Sequence, residues 1–350
     1  MEPPQQKMTA DELFEITEQD PYWAAKLDEQ VIITTQWENK PHAKIKVVSK
    51  HLIFAGVAEN KDCADFSNGN LEELSGTFLG SVFIRDSPLT VIKDFRILSP
   101  TTSLQDFENM GLVEYIQTTQ QRNKYSAGIL VVSDCPNLQT IEAIVQKSIT
   151  IYDCPELKTV KVNNRQVCEK YSIEVQRCMK LTQITGELHG QAHIDQTGLI
   201  STKGIEVLSI GTSNIAASFF NNPNLKDGSG TYKGAVIHHK SGFEILDGLV
   251  TSPNGGHSTL MEKDTVIREC PNLHTIRNCK AFKIHIEKNP NLHLIETSEC
   301  AAGWIVDNPS LSGICDSMAK VMNDAQRKTV KDNLDAANKL RSGNDNNLTI

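Results

Sequence analysis

The sequence lacks the features that mark several large classes of protein. Its apolar runs fall well short of the roughly 18 residues that a membrane-spanning helix needs, so we expect no membrane insertion in this chain. The N-terminus has neither the basic nor the apolar region of a signal peptide. Acidic residues outnumber basic residues by 43 to 35, and the net charge of −8 argues against nucleic acid as the main partner.

Motifs of catalysis and cofactor binding are missing as well. The chain contains no glycine-rich phosphate loop, no Gly-x-Ser-x-Gly, no Cys-x-x-Cys and no His-Glu-x-x-His. The helical period that marks leucine-rich repeats with full helices is also absent from the repeated part of the chain. We therefore predict a protein that is not an enzyme, with no cofactor and no metal.

A short repeat is the main feature that the sequence does contain. Residues 270–276, CPNLHTI, recur 19 residues later as NPNLHLI at 289–295 and again as NPSLSGI at 308–314. An alternating apolar pair precedes each copy and predicts a short strand with one buried face. The proline then ends that strand, because it has no N–H to donate to a sheet.

One such coil cannot bury its own apolar side chains, so neighbouring coils must stack into a shared core. The sequence therefore predicts a mainly β fold, a right-handed parallel β-solenoid of about ten coils with short helical caps at both ends. We expect the leucines that follow the corner to lie in that shared core, as in Leu138, Leu157, Leu273 and Leu292.

Changes in the repeat mark off the two ends of the chain. Residues 1–54 form an N-terminal helical segment and cap, and residues 316–342 form a C-terminal capping helix. The coils between them form one continuous solenoid or two halves. Residues 343–350 are a polar tail.

Cysteine fills the position before the corner proline, or its equivalent, in four coils. These residues are Cys135, Cys154, Cys178 and Cys270, and asparagine takes the same place in other copies. A small side chain that packs inward suits this corner, so we predict reduced, structural thiols. The remaining five cysteines could form disulfides, which leaves the redox compartment open.

These spacings resemble the receptor L domain, the β-solenoid module of insulin- and epidermal-growth-factor-type receptor ectodomains. Residues 74–84, LSGTFLGSVFI, are similar to one of its coils, and the later corners are similar to others. The resemblance implies that Cys63 and Cys168 open two modules, residues 55–166 and 167–315, and that the solenoid face recognises a ligand or protein. No furin-like module, membrane span or kinase accompanies them, so receptor signalling does not carry over.

Three histidines and a tryptophan are the candidate binding residues. His274 and His293 fill the same repeat position, so we expect them to stack on the outer surface. With His285 on an adjacent strand they could hold zinc, but an exposed polar column is the simpler interpretation. Trp304 shares an outward position with Val266 and His285. We expect the C-terminal helix to cover it and any exposed remainder to be an interface.

Aspartates precede the corner proline by two positions in four coils: Asp86, Asp134, Asp153 and Asp307. Stacked carboxylates could bind calcium, as in pectate-lyase-like enzymes. The simpler interpretation is that these side chains stabilise the turn that they precede.

A weaker copy of the repeat predicts that Ala235 and Ile237 point inward. The next two residues, His238 and His239, face opposite sides of the strand, and one imidazole is expected to be buried. A buried imidazole could sense pH, although a satisfied core or surface histidine is the simpler interpretation.

Together these patterns predict non-catalytic recognition of a protein or peptide by a sheet face and its inter-coil loops. The alternatives are an intracellular structural scaffold and a β-helix carbohydrate-active enzyme. We expect a cytoplasmic protein if the chain is complete, and an extracellular one if the family resemblance holds and a signal is missing. The oligomeric state stays open.

Overall fold

The computed structural model describes residues 81–98, 128–168, 171–210, 215–252 and 264–345, and before residue 81 five strands. The fold is mainly β, with parallel sheets of many strands, as the repeat predicted. The chain forms two compact units, Met1–His189 and Gly190–Ile350. We call them the N-terminal unit and the C-terminal unit. The predicted L-domain-like halves, 55–166 and 167–315, stay a prediction.

Thirteen strands are described in the N-terminal unit. They are β1 (Gln6–Met8), β2 (Val31–Ile33), β3 (Leu52–Ala55), β4 (Cys63–Asp65), β5 (Glu73–Leu79), β6 (Ser81–Arg85), β7 (Val91–Leu98), β8 (Leu130–Ser133), β9 (Thr140–Val145), β10 (Ile149–Tyr152), β11 (Thr159–Asn164), β12 (Tyr171–Cys178) and β13 (Gln183–His189).

From β3 onward, successive strands of this unit alternate between two parallel sheets. One sheet has the order β1-β2-β3-β5-β7-β9-β11-β13 and the other the order β4-β6-β8-β10-β12. Ile149 of β10 lies opposite Leu130 of the coil before and Ile173 of the coil after. Each winding therefore gives one strand to each sheet and lies in register with its neighbours, which is the arrangement of a parallel β-solenoid.

The C-terminal unit contains the remaining described strands and two helices. They are β14 (Gln191–Thr197), β15 (Ile205–Ser209), β16 (Ile215–Phe220), β17 (Gly230–Lys233), β18 (Ala235–His239), β19 (Ile245–Asp247), β20 (Leu249–Ser252), β21 (Thr265–Arg268), β22 (Thr275–Arg277), β23 (Lys280–Glu287), β24 (Leu294–Glu296), β25 (Glu299–Val306), β26 (Gly313–Ile314), α1 (Asp316–Ala319) and α2 (Asp324–Asp345).

Parallel pairing also builds this unit. One sheet runs β14-β16-β18-β21-β23-β25, and a smaller sheet runs β19-β22-β24-β26. The long strand β23 pairs with two shorter ones, because its Lys280 lies opposite Val250 of β20 and its Ile284 opposite Thr265 of β21.

The predicted shared core is confirmed within each unit. Leu138 and Leu157 in the N-terminal unit are fully buried, and so are Leu273 and Leu292 in the C-terminal unit. Burying a leucine side chain stabilises a fold by about 2 kcal/mol. Stacked corner leucines are therefore a large part of what holds successive coils together.

The residue before each corner has a left-handed backbone. Its φ lies between 49° and 54° at Asp86, Asp134, Asp153, Arg177, Gln196, Asn221, Lys240, Glu269, Lys288 and Asp307. Aspartate and asparagine tolerate this conformation better than most side chains, which explains why they fill five of these ten positions. The aspartates therefore recur at this position because the backbone there is left-handed.

The next residue points inward and binds the main chain. The thiols of Cys135, Cys154 and Cys178 each donate to the carbonyl two residues earlier, at 3.3–3.4 Å. The eight cysteines that the structure describes carry free thiols, and all but Cys315 are buried. The prediction of reduced, structural cysteines at the corner is confirmed.

Asparagines at the same corner form a ladder between coils of the C-terminal unit. The Cys270 N–H donates to Asn289 Oδ1 at 3.0 Å, and the Asn289 N–H donates to Asn308 Oδ1 at 3.1 Å. Gln326, on α2, takes the next place, because its Oε1 accepts the Asn308 N–H at 3.0 Å. Helix α2 is thereby tied to the last corner.

The predicted helix over residues 316–342 is interrupted. Between α1 and α2 the chain runs beside β25, where the Ile305 N–H donates to the Val321 carbonyl at 3.3 Å. The predicted N-terminal helical segment, residues 1–54, lies mostly outside the described residues, and the parts of it that the structure describes belong to the strands β1, β2 and β3 rather than to a helix. In the part of the chain that the structure describes, no helix is long and apolar enough to cross a membrane.

Candidate functional site

His274 and His293 lie one coil apart on the surface, as predicted. Both follow a buried corner leucine and both are exposed. Their ring centroids are 6.1 Å apart with an interplanar angle of 31°, and His293 Nδ1 lies 3.1 Å from the Ser310 carbonyl oxygen. The pair is a stacked polar column at the corner.

His285 does not join that pair. It lies on β23 opposite Trp304 of β25, with ring centroids 5.6 Å apart, and its Nε2 is 3.2 Å from Glu287 Oε2. Among the described residues no group of three or more histidine, cysteine or carboxylate side chains could hold a metal ion. The three candidate histidines thus belong to two different surface features.

The outward position shared by Val266, His285 and Trp304 is confirmed by strand register. Ile237 of β18 lies opposite Val266, Val266 opposite His285, and His285 opposite Trp304. The four side chains form one column on the outer face of the sheet. In the N-terminal unit, β6, β8 and β10 hold the matching column of Phe83, Val131 and Thr150.

The expectation that the C-terminal helix covers Trp304 is wrong. The indole is 54% exposed. Helix α2 binds the corner instead, where Asn333 Nδ2 donates to the carbonyls of Pro309 and Leu311 at 2.7 and 3.0 Å. These contacts hold the middle of the helix against the last corner.

A second column beside the first holds a chain of charged side chains. Arg268 Nε lies 3.0 Å from Glu287 Oε1 and 2.9 Å from Glu269 Oε1. The other oxygen of Glu269 is 3.3 Å from His239 Nε2. His239 and Arg268 therefore both favour the ionised carboxylate, and the pKa of Glu269 lies below its ordinary value.

Aromatic rings lie at both ends of this chain. Phe220 meets His239 edge-on, with centroids 5.6 Å apart, and also contacts the ring of His193 at 5.6 Å. At the other end Trp304 contacts His285. We call this surface the aromatic–ionic face; it consists of His193, Phe220, Ile237, His239, Val266, Arg268, Glu269, His285, Glu287 and Trp304.

The aspartate column offers less to a calcium ion than the sequence suggested. Arg177 follows Asp153 by one coil in the same corner position, and its Nε and Nη2 bind the two carboxylate oxygens at 2.6 Å each. This contact lowers the pKa of Asp153 and uses both of its oxygens. Sequence reasoning found no basic residue in a telling place beside this column and so missed Arg177, although Arg177 precedes Cys178 as Asp153 precedes Cys154.

Comparisons with protein-family models, with curated proteins and with solved structures find no match. Membership of the receptor L domain family stays a prediction, and the function has to be argued from the aromatic–ionic face itself.

Proposed function

We propose that the C-terminal unit is a non-catalytic recognition module that binds a protein or peptide through the aromatic–ionic face. The observation that carries this proposal is the exposure of Trp304 at the end of an ordered outward column. A half-exposed indole leaves a large apolar area in water. Tryptophan is also among the residues that most often dominate the binding energy of protein interfaces.

The surroundings of Trp304 favour recognition by a preformed surface. Arg268, Glu287 and His285 already contact one another through side chains held on neighbouring strands. A partner therefore does not have to order these side chains on binding, which reduces the entropic cost of association. Their paired charges would select a partner with complementary polar groups around an apolar centre.

The receptor L domain resemblance supports the same proposal, since that module recognises ligands on its solenoid face. The alternatives are a structural scaffold and a carbohydrate-active β-helix enzyme. The ion pair between Arg177 and Asp153 gives the enzyme alternative little support, because it occupies a carboxylate that a calcium site would need.

Selection from a displayed random peptide library on the immobilised full chain tests the proposal, followed by measured dissociation constants for enriched peptides. Trp304→Ala should weaken their binding by about 30-fold, which is the loss of roughly 2 kcal/mol typical of a central tryptophan. Because Trp304 is exposed, the circular dichroism spectrum should stay unchanged.

Met179→Ala is the matched control, because Met179 is exposed to a similar extent, 55%, but lies in the N-terminal unit. Its affinity should stay within about threefold of the wild type. Equal binding by wild type and Trp304→Ala would reject this face. A selection that enriches no peptide would reject peptide recognition and favour the scaffold.

A further inference from the structure

His238 is a buried titratable residue beneath the aromatic–ionic face. It points inward from β18 and is fully buried. Its ring stacks on Phe219, with centroids 5.0 Å apart and planes 14° apart, and meets Phe243 edge-on at 5.1 Å. The imidazole thus lies between two apolar rings.

Among the described residues neither nitrogen of this ring makes a hydrogen bond of good geometry, although a contact with the Gly228 main chain offsets a small part of the effect of burial on its pKa. The main chain of Gly228 packs against it, because a Cβ added there would lie 3.2 Å from His238 Cε1 and 2.9 Å from Leu246 Cδ1. Ser241 Oγ, three residues further along the chain, is also buried without a partner. Unpaired buried polar atoms are uncommon in folded proteins and call for a physical explanation.

In the part of the chain that the structure describes, the elements packed against the ring offer no charge that would offset a proton on it. On β21, Ile267 lies opposite His238. Asp227, next to Gly228, is 2.9 Å from Lys203 Nζ and accepts the Ser229 N–H at 3.0 Å.

Two other titratable groups lie on the packed segments. Burial raises the pKa of the Cys270 thiol, 4.0 Å from the His238 carbonyl oxygen, to about 12. The buried phenol of Tyr232 lies against Gly230, and burial raises its pKa to about 12 as well. Both groups are neutral below pH 8, so neither stabilises an imidazolium by its charge.

We propose that His238 is a proton-operated latch, and that a proton on its buried ring opens the packed segment between Gly228 and Phe243. A charged ring cannot stay between two phenylalanines without a counter-charge, so it must reach water. Acid therefore loosens the interior beneath the aromatic–ionic face.

The size of the effect follows from the pKa of His238, which burial lowers from 6.5 to about 4. A lowered histidine pKa contributes stability that is complete above pH 6.5 and is lost as the pH falls toward 4. An open segment holds His238 with an ordinary pKa. The opening constant should therefore rise about 30-fold between pH 8 and pH 5.

Cys270 reports this opening, because its thiol is fully buried and contacts the carbonyl group of His238. The full-length protein is pulsed with 4,4′-dithiodipyridine, a disulfide that exchanges with accessible thiols in mild acid, and the labelled peptides are measured by mass spectrometry. Rates are divided by those of the unfolded chain at each pH. Cys270 labelling should rise about 30-fold from pH 8 to pH 5. Labelling of Cys154, buried in the N-terminal unit, should not follow it.

His238→Phe and His238→Leu remove the titrating group, and either variant should abolish the pH dependence of Cys270 labelling. His239→Gln is the matched control beside it and should keep that dependence. Two results would overturn the proposal: an unchanged rate in the wild type, or an equal rise in the His238 variants. If neither variant folds, the imidazole resonances of the wild type decide, because titration of His238 near pH 6.5 in the folded protein contradicts a latch.

Discussion

At the scale of single residues, the corner of each coil depends on a left-handed backbone. A second corner lies between β24 and β25. Its Thr297 has φ of 45° although the side chain is β-branched, and Asn278, in the same place one coil earlier, has φ of 53°. The Thr297 hydroxyl donates to Asn278 Oδ1 at 2.8 Å and accepts the Asn278 N–H at 3.2 Å. These hydrogen bonds offset the energetic cost of the left-handed conformation. Among the described residues, Lys288, which precedes the corner residue Asn289, makes no such hydrogen bond.

Lys288→Gly should therefore raise the free energy of unfolding by about 0.5 kcal/mol. Lysine has φ of 53° there, which costs about 1–2 kcal/mol for a side chain with a Cβ. Glycine removes that cost. It also increases the conformational entropy of the unfolded chain, which offsets part of the gain in stability. Urea unfolding measures the difference. Lys283→Gly, within β23, is the control and should destabilise; a loss of stability in Lys288→Gly would contradict the corner argument.

At the scale of elements, one buried side chain per coil links each corner to the next. Asn289 Nδ2 donates to the Ile267 carbonyl and to Asn308 Oδ1, at 3.0 and 3.1 Å, while its Oδ1 accepts from Cys270. The Cys270 thiol at the equivalent position donates to the Arg268 carbonyl at 3.5 Å. Cysteine and asparagine thus exchange in this repeat because both are small and both can donate to the main chain.

Asn289→Ala should lower the free energy of unfolding by about 2–4 kcal/mol, because it leaves the Cys270 N–H and the Ile267 carbonyl buried and unpaired. Asn289→Cys should cost less, since a thiol restores one donor in a position that tolerates it. Denaturant unfolding of both variants checks the order. Equal losses would show that volume, rather than hydrogen bonding, matters at the corner.

The sequence predicted these elements where the apolar period was regular and failed where register shifted by one residue. It placed Ala235 and Ile237 inward, and Ala235 is buried as predicted, but the structure also buries Val236 and His238 and turns Ile237 outward. A register irregularity between Ile215 and Ala217 of β16 sets this pairing. A shift of one residue exchanges the two faces of a strand, and side-chain hydrophobicity alone did not reveal it.

At the scale of the whole molecule, the repeat predicted the parallel coils and their leucine core, but only part of the candidate site. Stacking of His274 on His293 followed from the 19-residue period. Exposure of Trp304 did not, because it depends on the path of the chain after the last copy of the repeat. The contact between Arg268 and Glu287 joins two coils through side-chain geometry, which an alignment of apolar positions does not specify.

The redox state and accessibility of the cysteines provide a test of the solenoid architecture. Because the described cysteines are free and nearly all are buried in coil corners or the core, the fold needs no disulfide to hold its coils together. The midpoint of urea unfolding should therefore be the same with and without a reducing agent. Thiol titration should find at least eight reactive groups in the unfolded, unreduced chain and almost none in the native one. Two or more disulfides in the native protein would mean that cross-links, rather than stacked corners, stabilise the solenoid.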